Sequence, residues 1–472
     1  MKRAVRQPRW KYIIAVCLIA YFLWSAWFGL RTHFAPDDMM NLGGYYRLGT
    51  TKVALSQFAV WDNFYRPMGA AFYLPLYALF GLQVRAFRIA VLILLLVNVY
   101  LLYRLARLLG ANELAAGLAA FVMCFHRAMG LLYYNTSFVY DVLCFLFYLS
   151  SAIVYMKVRV RDEIPGIGAT LGILALYLCA LNSKEIAPTF PMVLLAYEWV
   201  YHRPSSWKPG ALLRWLFREG RVAMIAVPLT VAYVYGKTVG PHALAAIPDY
   251  RPVFSLARVL QFQTGSLTDL LYVQRPLEVR DIVIVWSIVT LIAWLSKNRV
   301  LRFCWWWMVL TPLPIQFVNR IGPALYIPLA GWALFAAVMI AGMINRMSAW
   351  AAPPVRIPVA AGLVLLAVIP FAREGRASVQ DRYKPAMTDD GKLTATVIAQ
   401  LNLIRPQVRP GARWLFLNDP FEYYDMIFIA QLWAHQRDMD IRLARKDPVP
   451  PEEQGQYDSI FAFDNGKLIQ LK

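Results

Sequence analysis

Charge is scarce in this 472-residue chain: 16% of its residues are Asp, Glu, Lys or Arg, while 59% are hydrophobic. That excludes an ordinary soluble domain, in which about 25% of residues are charged. Carboxylates are scarcer than cations, 28 against 48, but the net charge of +20 does not indicate nucleic acid. The Lys and Arg cluster at the ends of apolar runs rather than on one basic face, which makes them a topology signal. Five cysteines, Cys17, Cys124, Cys144, Cys179 and Cys304, lie inside or at the edge of apolar segments. No CxxC pair or metal-ligand spacing occurs among them, so no disulfide or zinc framework is implied. The chain also lacks a P-loop, a Gly-rich dinucleotide fingerprint, a low-complexity tract and a long internal repeat, which leaves ATP-driven transport and nucleotide-sugar use without support.

What the chain has is long apolar runs, the mark of a polytopic α-helical membrane protein. The first, residues 12–30, follows Lys2, Arg3, Arg6, Arg9 and Lys11. It lacks a small-residue cleavage site and is long enough to cross about 30 Å of hydrocarbon, so it reads as a retained anchor with a cytoplasmic N-terminus. Residues 67–82 are short and interrupted by Pro67, Gly69 and Pro75, which favours an interfacial or re-entrant helix. Further spans follow at about 86–103, 113–132, 137–156, 166–182, 186–201, 222–238, 281–296, 303–318, 322–344 and 357–371. With about eleven spans, Arg104, Arg107, Lys157, Arg159, Arg161, the stretch 203–221, Lys297, Arg299, Arg302, Arg346 and Arg356 all fall on the N-terminal side, as the positive-inside rule asks. The C-terminus is then outside.

In that topology the long first loop, residues 31–85, the turns 133–136 and 182–185, and the stretch 239–280 share the outer face, with Arg320 at the outer end of its span. They bring together the adjacent carboxylates Asp37 and Asp38 with Arg66, Lys184, Arg258 (or Arg251) and Arg320. Acids facing fixed cations suit a reaction in which a proton is lost while a phosphate leaves. An Asp here either takes the proton or holds a divalent cation, Mg or Mn; no other cofactor is implied. Asp37 and Asp38 equally suit the first turn of a helix lying on the membrane. Glu185, Tyr65, Tyr133, Tyr134 and Asp141 are pocket candidates, the tyrosines as platforms for a sugar ring and Asp141 as an acid inside a span. Lys184 and Glu185 also read as a mutually neutralising turn pair, and Arg66, before Pro67, reads as extended. His126, followed by Arg127 in an apolar helix, is left out of the catalytic set.

The landmarks "FAPDD", "FYRPMGAAFYLPLYALFG", "LNSKEIAPTFPMVLLAYEW" and "NRIGPALYIPLAGWALF" occur in this order. Over roughly the first 345 residues the chain resembles the GT-C superfamily of polyprenyl-phosphate-sugar-dependent glycosyltransferases, in particular the branch with the TMTC O-mannosyltransferases and their bacterial relatives. The resemblance implies an inverting transfer from a lipid-phosphate sugar to a lipid, glycan or protein acceptor at the outer face. It points to Asp37 as base, with Asp38 assisting by binding acceptor or metal. The His-Pro-x-x-x-Glu element common in relatives is missing here.

After Phe371 the composition changes, and residues 372–472 read as a small outer α/β module. Strands are expected at 413–417, 441–443, 458–463 and 467–471, a helix at 422–435, and a hairpin turn at Asp464-Asn465-Gly466. The size and lack of a retention tail point to a bacterial inner membrane. A transporter or flippase of lipid-linked sugars is the competing function, and it would place its charges near the midplane rather than at the outer ends of spans.

Overall fold

The structure, a computed structural model, describes residues 10–62, 64–240, 243–445, 449–464 and 466–472. Lys2, Arg3, Arg6 and Arg9, and Asn465 of the expected hairpin turn, lie outside the described residues. Each apolar run forms helix, the state in which a backbone satisfies its own hydrogen bonds in hydrocarbon.

Five helical stretches are long and apolar enough to cross a membrane: Ile14–Arg31, Val84–Leu108, Thr136–Arg159, Gly322–Ala349 and Pro353–Ile404. A sixth arises if Glu113–Cys124 and Arg127–Tyr134, bent by 44° at their junction, count as one span. The expectation of eleven spans is not met by this measure. The other five expected positions carry helices of 12 to 18 residues: Ile167–Leu181, Phe190–Tyr201, Arg221–Thr238, Val279–Leu295 and Arg299–Leu310. Phe190–Tyr201 continues from the 3-10 turn Ala187–Thr189, and Arg299–Leu310 is followed by the short helix Leu313–Gln316, so here the apolar run overstates the regular helix.

The bundle packs around Val139–Arg159, which lies against Val84–Leu108 and Ile167–Leu181, and around Tyr326–Ala349, which lies against Glu113–Cys124 and Arg299–Leu310. One end of Val139–Arg159 closes on a buried ion network. Arg159 makes a two-pronged pair with Glu198 at 2.9 and 2.7 Å and reaches Glu219 at 2.5 Å, while Tyr155 donates to Glu198 at 2.7 Å.

The first loop folds as helices Pro36–Leu48, Thr50–Ser56 and Met68–Phe80. Pro36 opens the first of these, and Asp37 and Asp38 occupy its first turn, where the helix dipole favours negative charge. Met68–Phe80 has 13 residues, fewer than the roughly 20 that a straight span needs.

The last apolar helix, Arg356–Ser378, does not stop at residue 371. It passes through a π-helical turn at Val379–Tyr383 and continues as Lys384–Asp389 and Lys392–Ile404. Beyond it β1 (Arg413–Leu417), β2 (Asp440–Ala444), β3 (Ser459–Asp464) and β4 (Lys467–Gln470) form one sheet in the order β2-β1-β3-β4. β1 pairs parallel to β2 and β3, with Trp414 opposite Ile441 and Ser459, and β3 pairs antiparallel to β4. Helix Asp425–Trp433 packs against Pro36–Leu48. The contact is close: a Cβ on Gly43 would lie 2.4 Å from the Phe428 ring. Arg47 donates to Gln431 at 2.5 Å and lies over that same ring, and the Tyr77 hydroxyl donates to the Leu432 carbonyl.

Candidate active site

A cavity of about 560 Å³ opens between the first loop, the turn 182–185, the stretch 244–254 and residues 313–324. It is lined by Asp37, Tyr65, Arg66, Lys184, Glu185 and Arg320 of the residues expected there, and also by Lys237, Tyr140, Tyr233 and Tyr250. Apolar residues, among them Phe254, Leu313, Phe317 and Ile321, complete the wall.

Asp37 and Asp38 face different ways. Asp37 is exposed to the cavity, and among the described residues it has no ion-pair partner. Asp38 is fully buried and turned away from it: one carboxylate oxygen accepts from the Ala35 N–H at 3.0 Å and the other from the Tyr73 hydroxyl at 2.9 Å. Burial pushes the Asp38 carboxyl up to about 6, against the opposing pull of Arg88, the Ala35 N–H and Tyr73. Asp38 is therefore a helix-start residue rather than a wall of the cavity, because its i,i+1 neighbour points about 100° away on the same helix. The expected chelating pair does not form, and among the described residues no group of three or more His, Cys, Asp or Glu gathers to hold a metal. Asp37 and the Arg66-bound Glu185, the two carboxylates on the wall, do not make a divalent-cation site of the usual several oxygens.

Arg66 sits at a left-handed φ of 44° instead of the expected extended backbone. The conformation is held from several sides: Tyr45 donates to the Arg66 carbonyl at 2.8 Å, the Met68 N–H donates to the Asn182 carbonyl at 3.1 Å, and Gln57 donates to the Pro67 carbonyl at 2.6 Å. These contacts aim the guanidinium at Glu185, which it grips with two bonds of 2.8 Å, and place it over the rings of Tyr65 and Tyr140. Burial works against the Glu185 carboxylate, but Arg66, with Lys184, more than offsets it and holds it down at about 2. Lys184 pairs with the buried Asp141 at 2.9 Å. The turn pair expected between Lys184 and Glu185 is thus replaced by two cross-pairs, and Asp141 sits behind Lys184 as its counter-ion.

Two other cations on the wall lack a close carboxylate. Lys237 donates to the carbonyls of Phe64 at 2.5 Å and Asp62 at 3.5 Å, and Arg320 lies over the Tyr250 ring at 4.4 Å with Asp249 only at 3.9 Å. Lys237 was missed by sequence reasoning. Its signal was present: a cation at the outer end of a span is an exception to the positive-inside pattern. Gly236 beside it allows the loop to come close, since a Cβ there would lie 2.4 Å from the Trp61 backbone.

The remaining candidates lie elsewhere. Arg258 and Arg251 do not line the cavity; Arg258 bonds Gln261 one turn along its own helix at 3.3 Å. Tyr133 and Tyr134 are buried in the core, donating to the carbonyls of Cys124 at 2.7 Å and Ser25 at 2.7 Å, because a buried phenol must find an acceptor. His126, also buried, caps a 3-10 turn by accepting from the Ala128 N–H at 3.2 Å. In the C-terminal module burial raises the Asp425 carboxyl, and the charges of Asp419 and Asp37 add to the rise.

No protein-family model matches the sequence, and no curated protein sequence matches it. Two solved structures share its architecture. Archaeal oligosaccharyltransferase AglB from Archaeoglobus fulgidus, in complex with an inhibitory peptide and a dolichol-phosphate, aligns over 91% of this chain with a TM-score of 0.51 and 12% identity. The Archaeoglobus fulgidus oligosaccharyltransferase tethered to an acceptor peptide containing the NVT sequon aligns over 93% with a TM-score of 0.50 and 11% identity. Each alignment takes in 64% of the archaeal chain, so this chain spans less than two thirds of those proteins' length. The likeness to these oligosaccharyltransferase structures is one of fold.

Proposed function

We propose that the protein is an integral-membrane inverting glycosyltransferase that moves a sugar from a polyprenyl-phosphate donor to an acceptor at the outer face of a bacterial inner membrane. The observation that carries the reading is Asp37: a carboxylate without a cation partner among the described residues, in a GT-C cavity walled by aromatic rings and cations. Asp37 accepts the acceptor's proton as the nucleophile attacks the anomeric carbon, the bond from that carbon to the phosphate oxygen breaks, and the phosphate leaves with the electron pair. Lys237 and Arg320 take up the developing charge, since Lys237 is hydrogen-bonded to carbonyl oxygens and Arg320 has only the exposed Asp249 at 3.9 Å, whereas Arg66 and Lys184 are held by close carboxylates. Arg66 and Lys184, tied to Glu185 and Asp141, hold the wall in shape. Tyr65, Tyr140 and Tyr250, whose rings already lie under Arg66 and Arg320, form the aromatic side of the cavity that the sugar enters, and Phe254, Phe317 and Ile321 suit the lipid chain. No step is routed through a divalent cation, which the observed acids do not fit.

The orientation belongs to the same proposal: eleven crossings, a cytoplasmic N-terminus, and the cavity and C-terminal module outside. The dolichol-phosphate in the AglB complex supports a lipid-phosphate donor for this fold. The test is transfer from a panel of radiolabelled polyprenyl-phosphate sugars by purified wild type and Asp37→Asn. Wild type is expected to transfer or hydrolyse one donor, and the folded variant to lose about 10³-fold in kcat, the general-base contribution. If wild type leaves every donor intact yet moves lipid-linked sugar across liposomes, and Asp37→Asn does so equally, the protein is a flippase.

A further inference from the structure

A second hollow, of about 470 Å³, shares no lining residue with the catalytic cavity and opens where the end of the first span meets the joint of the last helix. Leu23, Trp27, Phe28 and Val379 line it with apolar surface, and Arg376 and Lys384 supply its charge. Leu23 and Trp27 are 52% and 59% exposed, more than isolated surface apolar residues need to be, and they are contiguous. Arg376 lies over the Trp24 ring at 4.9 Å, and Lys384 donates to Gln380 at 2.7 Å. Among the described residues neither cation has a carboxylate within ion-pair distance. Glu374 and Asp381, the acids of the same segment, do not line the hollow.

The placement adds to the chemistry. Tryptophans at the end of a span sit at headgroup level. Arg373, Arg376, Arg382 and Lys384 follow the last span at the end that the proposed orientation puts outside, where the positive-inside rule does not explain a basic cluster. The helix changes there from α to π at Val379–Tyr383, a local widening that often marks a functional position. Tyr383 of that turn donates to the Arg127 carbonyl at 2.6 Å and its ring packs on Gly130 and Tyr134, so the joint is held to the bundle and leaves the hollow open on its other side.

We propose that this hollow binds one anionic membrane phospholipid, its headgroup phosphate held by Arg376 and Lys384 and an acyl chain lying along Leu23, Trp27 and Phe28. The bound lipid sits where the last span becomes the helix that carries the C-terminal module. Only the argument from the basic cluster rests on the orientation in the proposed function; the cavity, the cations and the apolar wall do not.

The experiment is native mass spectrometry of the full purified chain titrated with phosphatidylglycerol or phosphatidylcholine, which reads binding without any transfer reaction. Phosphatidylglycerol is expected to add as one tight equivalent, and Arg376→Gln/Lys384→Gln to weaken it roughly tenfold or more. Arg373→Gln/Arg382→Gln removes the same charge from the same segment outside the hollow and is expected to leave binding unchanged. Trp27→Ala, which keeps every charge, is expected to weaken binding as well, and so tests the site even if the double cation variant unfolds. Equal binding of phosphatidylcholine, or equal loss in the two double variants, overturns the proposal. So does competition by polyprenyl phosphate that is abolished by Arg320→Met, because the lipid would then be in the catalytic cavity. A dead transferase that still binds phosphatidylglycerol in this pattern would sink the proposed function and leave the lipid site standing.

Discussion

The four cations around the cavity differ in what their side chains already hold. Arg66 is bound on both prongs by Glu185, so truncating it leaves a half-buried carboxylate uncompensated. Arg66→Ala is expected to lose about 3 kcal/mol in denaturant unfolding in detergent, the low end for a broken buried pair because Glu185 keeps 20% of its side chain exposed. Arg66→Lys recovers little of this, since an ammonium cannot make the parallel two-bond grip. Lys237 donates to backbone carbonyls and lies over the Tyr233 ring, with no two-pronged carboxylate grip, and is expected to behave in the opposite way. Lys237→Met raises the KM for a polyprenyl-phosphate sugar about tenfold and leaves unfolding within about 1 kcal/mol of wild type, which initial rates and a denaturant curve read separately. Residue identity made the gathering of acids, cations and rings legible, because charges that must leave hydrocarbon collect at span ends. Pairing was not legible: Lys184 and Glu185 adjoin in sequence, yet each meets a partner from another helix or loop, and such choices depend on packing between segments. Nor could a sequence separate Tyr65, on the cavity wall, from Tyr133 and Tyr134 in the core, since both sets are tyrosines near the ends of apolar runs.

Helix Pro36–Leu48 connects the chemistry to the rest of the fold by using three faces. Asp37, Met40 and Asn41 face the cavity, Asp38 faces the core, and Gly43 and Arg47 face the C-terminal module. Gly43→Val places a branched side chain where the Phe428 Cβ already lies 2.8 Å from an ideal Cβ. It is expected to lift the module from the helix and speed protease cleavage after residue 404, and Phe428→Ala in the same chain to restore much of the resistance. Asp38 gives the start of this helix a pH dependence. Its folded value of about 6 lies above the ordinary 3.8, so the folded state holds the proton more tightly, and this residue's contribution to stability falls as pH rises from about 4 to about 6 and is level above that. Asp38→Asn removes the titration. The Tm of wild type relative to the variant, which mimics the protonated acid, should therefore be highest below about pH 4 and lower at pH 7, and a wild-type Tm that rises relative to the variant over that range would contradict the placement of Asp38 away from water. The strands and helix of the module were legible to within a few residues, from alternation and turn residues. The docking of Asp425–Trp433 on the first loop was not, because it depends on one glycine some 380 residues earlier in the chain.

Across the whole molecule, the helix Thr136–Arg159 sets the scale. Ser137 and Tyr140 at its start line the cavity, and Arg159 at its end joins Glu198 and Glu219. At 1.5 Å per residue its 24 residues separate the two sites by roughly the thickness of the hydrocarbon core, so the cavity and the ion network belong to opposite membrane faces if this helix crosses upright. The exposed residues Tyr423, just before the helix Asp425–Trp433 that docks on the first loop, and Trp207, in the connection between Phe190–Tyr201 and Arg221–Thr238, are then markers of the two sides. In a Cys17→Ser background, a membrane-impermeant maleimide applied to intact cells should label Tyr423→Cys, and should reach Trp207→Cys only after the cells are opened. The reverse pattern would place Asp37 on the cytoplasmic face, where the donor headgroup would be presented from inside and the basic connections would break the positive-inside rule at nearly every loop. Labelling of both from one side would mean that the chain between Trp207 and Tyr423 crosses an even number of times in place of the five crossings that the eleven-span topology uses to bring residue 423 to the other face. In that case one of the shorter helices, Arg299–Leu310 with its 12 residues being the first to suspect, would enter and leave on the same side.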